Sequence, residues 1–518
     1  MTNTINPFLI TDGYKLGHHK MYPQGTTLVY SNFTPRSNRH APNGVDYVIS
    51  FGQQMVMKQI HEYFQDGFFN RPKDEVVEEI KREISLFLGQ DYDVKHIEEL
   101  HDLGYLPIKV KSLPEGIRVP IGVPVLTIYN TKPEQFWLTN FLETIISNLL
   151  WKPITSATIA SQYKKILVEA AMKTDDDNLA SVQFQAHDFS MRGMDSVEAV
   201  ISSGLGHLTS FDGSDSLPVL HGARKYYGET GFVAGGVNAT EHSVMSAGGS
   251  KDGEEIETFR YLMKQFPTGI LSIVSDTWNL WTVLTEYMKI LKDDILQRDG
   301  KIVIRPDSGN PVDIICGIDS RPVYRKLYMK DGQKAYNDEN ETDFSDSEFK
   351  GVVELLWDTF GGTINKQGYK VLNPHIGAIY GDSITLERSQ QIVDRLKAKG
   401  FASTNVVLGI GSYTYQYNTR DSFGFAMKAT YVEIKSKKMD AHGKSFGRNI
   451  FKDPITDDGR KKSAKGLLYV WTDSDGKLIV RDQVEWTVEQ TGLLKTIYLD
   501  GNITNPVTLT EIKKRVSK

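Results

Sequence analysis

From residue 181 onward the chain repeats one pattern seven or eight times: a short apolar run stops at a polar or glycine cluster, and most clusters lead into a helical pattern. The apolar runs read VQF, HLTSF, GGVNA, ILSIV, KIVI, IGAIY and NVVL, with GFAMKATYVEI at 424–434 as a further one. The clusters are His187-Asp188-Phe189, Asp212-Gly213-Ser214-Asp215, Thr240-Glu241-His242-Ser243, Ser275-Asp276, Arg305-Pro306-Asp307-Ser308-Gly309, Gly381-Asp382-Ser383 and Gly409-Ile410-Gly411-Ser412. Strands alternating with helical patterns of roughly 10 to 20 residues predict βα units on a parallel sheet, and about eight such units predict a barrel. Ligands in such folds bind outside the carboxyl ends of the strands, where the loops converge beside helix N-termini. A barrel therefore delivers all these clusters to one rim.

Residues 1–180 show no repeating unit. Lys73 to Leu88 has the spacing of a charged amphipathic helix, 106–129 alternates apolar residues with Pro and Gly turns and predicts a small β-rich piece, and Trp137 to Trp151 predicts an apolar helix packed between modules. With 518 residues, 40% hydrophobic and 24% charged, the chain is too long for one ordinary core. A net charge of −5 argues against a nucleic-acid binder held by overall charge. The single cysteine, Cys316, excludes an intrachain disulfide and a Cys-cluster zinc site, and no apolar run has the length of a membrane span. With no secretory signal pattern either, a cytoplasmic location is expected.

Each polar cluster alone is weak evidence, because Asp or Ser after a strand most often caps a helix. The Gly-x-Gly-Ser at 409–412 lacks the Walker lysine and the third glycine of the dinucleotide fingerprint, so it supports phosphate contact without naming a ligand. His18 and His19 are adjacent but have no third metal ligand at useful spacing. The clusters together offer Arg192, Arg305 and Arg420, Lys428 and Lys452, two glycine loops and several carboxylates, a set suited to a ligand with several phosphates and a ribose.

The motifs HDFSMRG (187–193), FDGSD (211–215), TEHS (240–243), SIVSD (272–276), IRPDSGNP (304–311), YGDS (380–383) and FKDP (451–454), with the N-terminal TDGYKLGHHKMYP and the helix FWLTNFLETI, resemble the nicotinamide phosphoribosyltransferases over nearly the whole chain. The resemblance implies a type II phosphoribosyltransferase. Its α/β barrel-like catalytic domain would cover 181–434 with a polar loop inserted at about 317–350, and an α+β domain would be built from 1–180 and completed by about 435–518. It implies a homodimer with both active sites at the subunit interface. Phe189 matches the aromatic residue that stacks on the pyridine ring, Tyr14 looks like the second face of that sandwich supplied by the partner subunit, and Arg36 also matches a residue reaching the partner's site. Asp215 matches the carboxylate that accepts from the amide NH₂. A nicotinate carboxylate about 4 Å away would be repelled by about 4 kcal/mol at an effective dielectric near 20, so nicotinamide is the expected base. Arg192, Arg305 and His242 resemble diphosphate contacts, and Asp307, Gly381 and Asp382 resemble residues holding the ribose and nucleotide phosphate. Gly411, Ser412 and Arg420 complete the 5′-phosphate side, Lys428 and Lys452 match basic residues near the phosphates, and His187, Ser272 and Asp276 join the binding set.

The implied reaction is displacement of diphosphate from phosphoribosyl pyrophosphate by the pyridine nitrogen, giving nicotinamide mononucleotide. By the same resemblance His242, Arg305 and Asp307 would carry the catalytic roles, Mg²⁺ would accompany the diphosphate, and ATP would phosphorylate His242, with Glu241 beside it to orient the ring or bias its protonation. Met191, Ser412 and Ala426 depart from the pattern, where the family has an aromatic residue, a glycine and a serine. Two rival readings are a barrel aldolase forming a Schiff base on Lys428 and a nucleotide-binding relative without turnover.

Overall fold

The structure is a computed structural model, and it describes residues 5–250, 253–318, 345–381, 383–435, 445–452 and 464–517. One half is built on a parallel sheet of seven strands in the order Gly213–Ser214, Ala186–Asp188, Val406–Ile410, Ile376–Tyr380, Asp299–Arg305, Thr268–Val274 and Asn238–Ala239. The sheet curls until its edges meet, because Gly213 and Gly235 bridge in parallel. At this seam the Ser214 N–H donates to Gly235 O and the Gly235 N–H donates to Asp212 O.

Alternation along the strands decides what faces the hollow. Leu271, Ile273, Ile302 and Ile304 belong to the large apolar core shared with the helices, so Ser272, Val303 and Arg305 point to the opposite, inner face. Arg305 ends its strand and therefore stands at the rim.

A second, antiparallel sheet orders Ser445–Asn449, Ala426–Lys435, Thr26–Thr34, Leu126–Asn130, Ile108–Ser112, Lys495–Leu499 and Asn502–Ile503, so segments from both ends of the chain share it. The helix Glu143–Thr174 ties the halves together. Its residues Ile145, Ile146, Leu150 and Ile154 lie in the core of the antiparallel half, and Ile159, Tyr163 and Leu167 lie in that of the barrel.

Three expected barrel strands are placed differently. VQF falls in the 3₁₀ segment Asp176–Phe184, and the strand follows at Ala186–Asp188. HLTSF begins inside the helix Val197–Leu208, whose apolar periodicity runs to its end, and the strand follows at Gly213–Ser214. The stretch at 424–434 forms Ala426–Lys435, which pairs antiparallel with Thr26–Thr34 outside the barrel. Its buried Met427 beside an exposed Lys428 is the pattern of a sheet wet on one face, unlike the unbroken apolar Ile302–Ile304. Among the described residues the barrel thus has seven strands. Of the insertion expected at 317–350, residues 319–344 lie outside the described residues, and the helix Asp346–Phe360 has begun before its end.

Candidate active site

The strand ends bring most of the expected residues together. His187 is the middle residue of Ala186–Asp188, and its Nε2 lies 2.8 Å from Asp215 Oδ1, just beyond the neighbouring strand. The Phe189 ring sits 4.7 Å from the His187 ring, centroid to centroid. Asp188 between them is structural: fully buried, it accepts from the Ser190 N–H at 2.9 Å and from the Ser214 hydroxyl at 3.2 Å, locking the two loops to each other. A cavity of 570 Å³ lies against Asp215 and Gly236.

Two donors on the inner face have no partner among the described residues: Ser272 Oγ and Arg305 Nε, both buried. The Arg305 guanidinium is otherwise fixed by a hydrogen bond to the Thr240 carbonyl. Burial lowers its pKa from the ordinary guanidinium value, opposed by the charges of Asp307, Asp215 and Asp276 and reinforced by Arg192.

Beside Arg305, Asp276 organises the next loop. Its Oδ2 accepts from the Asp307 N–H at 2.8 Å, the Ser308 N–H at 2.8 Å and the Ser308 hydroxyl at 2.5 Å. Its Oδ1 is buried without a donor among the described residues. His242 Nε2 stands 3.8 Å from Asp307 Oδ2 and 4.0 Å from Asp276 Oδ1, and His242 Nδ1 lies 3.1 Å from Thr277 Oγ1. Glu241, expected to orient this ring, instead accepts a hydrogen bond from the Ser243 hydroxyl. Thr277 was not singled out from the sequence, although it directly follows Asp276. A buried Glu255 beside Asp276 was also missed, hidden in an acidic run that reads as a solvated helix start.

Glycines let the loops close in. A Cβ on Gly381 would come within 2.6 Å of Asp307 Oδ1, and one on Gly193 within 2.1 Å of Ser412 Oγ. The turn Met191–Gly193, carrying Arg192, thus lies directly on Ser412, which follows Gly411 at the start of the short helix Ser412–Gln416. Asp382 lies outside the described residues.

The remaining expected residues gather elsewhere, on the antiparallel half. Tyr14 is exposed, with Lys15 Nζ 5.2 Å from its ring centroid and 2.7 Å from Glu143 Oε2. Arg36 Nε donates to the Gly424 carbonyl at 3.2 Å, and Arg420 lies 3.7 Å from Asp421. Burial first, then neighbouring charges that include Arg420, lowers the pKa of Arg36. The pKa of Lys428 is lowered as well, first by partial desolvation of its ammonium although the side chain as a whole is exposed, with Arg36, Lys15 and Arg420 adding to the depression against Glu143. These groups form a basic cluster with a cavity of 440 Å³ beside Arg36, Ala426, Lys428 and Arg481. Lys452 is exposed, past the strand Ser445–Asn449. The Schiff-base reading put Lys428 inside a barrel, and its place in the antiparallel sheet removes that premise.

Among the described residues no group of three or more His, Cys, Asp or Glu side chains is arranged to hold a metal by itself. No helix among them is long and apolar enough to cross a membrane. Cys316 is buried, and burial pushes its thiol up to about 12, which leaves it unreactive.

Residues 184–491 match the nicotinate phosphoribosyltransferase (NAPRTase) family, and residues 6–110 match the N-terminal domain of nicotinamide phosphoribosyltransferase. A nicotinamide phosphoribosyltransferase of Acinetobacter baylyi is 46% identical over 100% of this chain and 98% of its own. Another from Mycoplasma pneumoniae is 33% identical, covering 88% of this chain and 93% of its own. Among solved structures, a nicotinate-nucleotide pyrophosphorylase from Pyrococcus furiosus aligns over 100% of this chain and 96% of its own with a TM-score of 0.53 at 15% identity. The human nicotinic acid phosphoribosyltransferase aligns over 98% and 93%, also with a TM-score of 0.53 at 15% identity, and the two likenesses establish the shared fold. The chain belongs to the nicotinate phosphoribosyltransferase (NAPRTase) family, in the branch that carries the nicotinamide phosphoribosyltransferase N-terminal domain.

Proposed function

We infer that the chain is a nicotinamide phosphoribosyltransferase, a pentosyltransferase that joins nicotinamide to 5-phosphoribosyl 1-pyrophosphate and so returns nicotinamide to NAD synthesis. The observation that carries this reading is the complement of polar groups around the base position. Asp215 is an acceptor, Ser272 Oγ and Arg305 Nε are buried donors without partners, and a carboxamide presents one NH₂ and one C=O to match them. Phe189 offers a stacking face for the ring.

With the base so held, the pyridine nitrogen attacks the anomeric carbon, the bond from that carbon to the diphosphate oxygen breaks, and the electron pair leaves with diphosphate. The charge on the leaving group falls to Arg305 and Arg192. No side chain need act as a nucleophile in this step, so catalysis rests on alignment and charge neutralisation. Mg²⁺, arriving with the diphosphate, would add further neutralisation there. Asp276 Oδ1, buried without a donor, and Asp307 Oδ2 fit it as ligands completed by substrate oxygens.

ATP is assigned as a co-substrate that phosphorylates His242, half exposed at the same rim. The active unit is a homodimer, in which Tyr14, Arg36, Arg420 and Lys428 of one subunit face the barrel rim of the other. Two half-sites in one chain, one able to hold the base and one basic, support that arrangement. A cytoplasmic location is proposed on the reducing-compartment argument from the lone cysteine.

The test is incubation with nicotinamide, phosphoribosyl pyrophosphate and Mg²⁺, with and without ATP. Nicotinamide mononucleotide and diphosphate are expected in equal amounts. Their absence with both substrates bound would overturn the activity. His242→Ala should abolish ATP hydrolysis and leave a slower transfer, and intact hydrolysis in that variant would remove the phosphohistidine role.

A further inference from the structure

The two nitrogens of His242 are in unlike situations. Nδ1 is 3.1 Å from Thr277 Oγ1, a hydrogen-bond distance. Nε2 is 3.8 Å from Asp307 Oδ2 and 4.0 Å from Asp276 Oδ1, beyond hydrogen-bond distance to either, and it faces the space those oxygens border. A neutral imidazole carries one proton, and a hydroxyl at Nδ1 can accept it there, which leaves the Nε2 lone pair free. We propose that Thr277 is a positioning residue: its hydroxyl accepts from His242 Nδ1–H, holds the ring with the Nε2 lone pair directed at the phosphate position, and so makes Nε2 the atom that takes the phosphoryl group from ATP. This rests on the reading of His242 as the phosphorylated residue.

In the transfer the Nε2 lone pair forms a bond to the γ-phosphorus, the bond from that phosphorus to the β,γ-bridging oxygen breaks, and ADP leaves with the electron pair. The Nδ1 proton stays on the ring or passes to water, which reaches the half-exposed side chain. A hydroxyl serves both states, since it accepts from Nδ1–H before transfer and can donate to a bare Nδ1 afterwards. Valine at 277 keeps the branched shape and does neither. Water attacking the phosphorus later breaks the P–Nε2 bond and returns histidine and phosphate.

Two measurements test this on the full-length protein. The first labels it with γ-³²P-ATP and identifies the phosphohistidine isomer after alkaline hydrolysis. The Nε2 isomer is expected, and the Nδ1 isomer would overturn the proposal. Thr277→Val should slow labelling about tenfold and yield mixed isomers, whereas Thr277→Ser should restore both rate and isomer. A general loss of packing would move the rate but not the isomer, and serine would not repair it. The second is ¹⁵N NMR of selectively labelled histidine, which reads the His242 tautomer with no ATP present. An Nδ1–H tautomer lost in Thr277→Val is expected. An Nε2–H tautomer in the wild type, or one indifferent to the valine, would sink the role of Thr277 whether or not phosphate is transferred. Absence of any label on His242, alongside the expected tautomer, would instead remove the phosphohistidine reading and with it the acceptor role of Nε2.

Discussion

Asp215 Oδ1 is engaged by His187 Nε2 at 2.8 Å, which leaves Oδ2 to accept from a carboxamide and to repel a carboxylate. Asp215→Asn removes the charge and keeps an oxygen for His187, so kcat/KM for nicotinate relative to nicotinamide should rise by about tenfold or more. An unchanged ratio would dismiss Asp215 as the selector. Glu255 makes a separate prediction about stability. Its carboxyl is pushed up to about 7, by burial first and by the Asp276 charge second. The unfolded chain gives up this proton near the ordinary value of 4.5, whereas the folded protein keeps it until about 7. The stability contributed by the bound proton is therefore full below about pH 4.5, falls between the two values, and is gone above about pH 7. Glu255→Gln stays neutral throughout, so its Tm relative to wild type should climb from pH 5 to pH 8. A constant Tm difference over that range would mean the carboxyl titrates alike in both states.

At the scale of elements, the turn Met191–Gly193 and the start of Ser412–Gln416 form one unit. A methyl group on Gly193 would lie 2.1 Å from Ser412 Oγ and 2.6 Å from Ser412 Cβ, closer than atoms can pack. Gly193→Ala should displace Arg192 from the phosphate side and raise KM for phosphoribosyl pyrophosphate about tenfold. Ser412→Gly, which deletes both obstructing atoms, should restore most of it in the double variant, and strictly additive losses would show that the turn does not bear on the helix. Such contacts are invisible in sequence because they join residues far apart through backbone shape. What was legible had strong local periodicity or a strong terminal signal: the helix Lys73–Leu88 forms as its charged amphipathic spacing predicts, and the strand through Ile302–Ile304 ends at Arg305. Short strands were misplaced by a few residues, since Gly213–Ser214 has too few residues to carry a pattern, and the apolar HLTSF before it was the stronger signal. Thr277 escaped because a threonine after a strand is ordinary until a ring nitrogen is found beside it.

Across the whole molecule, the basic cluster of Arg36, Arg420 and Lys428 lies beside a sheet that takes strands from both chain ends, while the groups proposed to recognise the base sit on the barrel. Tyr14 belongs to the first group and is 65% exposed, its ring contacts among the described residues being with Lys15 and His18. If two chains complete each other, the exposed ring of one covers the Phe189 face of the other, and the cationic cluster closes over the phosphates. The expected consequence is complementation. Tyr14→Ala and Asp215→Ala damage opposite contributors, so a hybrid dimer holds one doubly damaged site and one free of lesions. Random exchange of equal amounts makes about half of the dimers hybrid, and with one good site in each, activity should recover to about a quarter of wild type. Each variant alone must be folded and nearly inactive, and exchange must be confirmed by tagging one chain. With those controls met, a mixture no more active than its parents would mean that each chain builds its whole site, and that Tyr14 acts, if at all, on its own barrel.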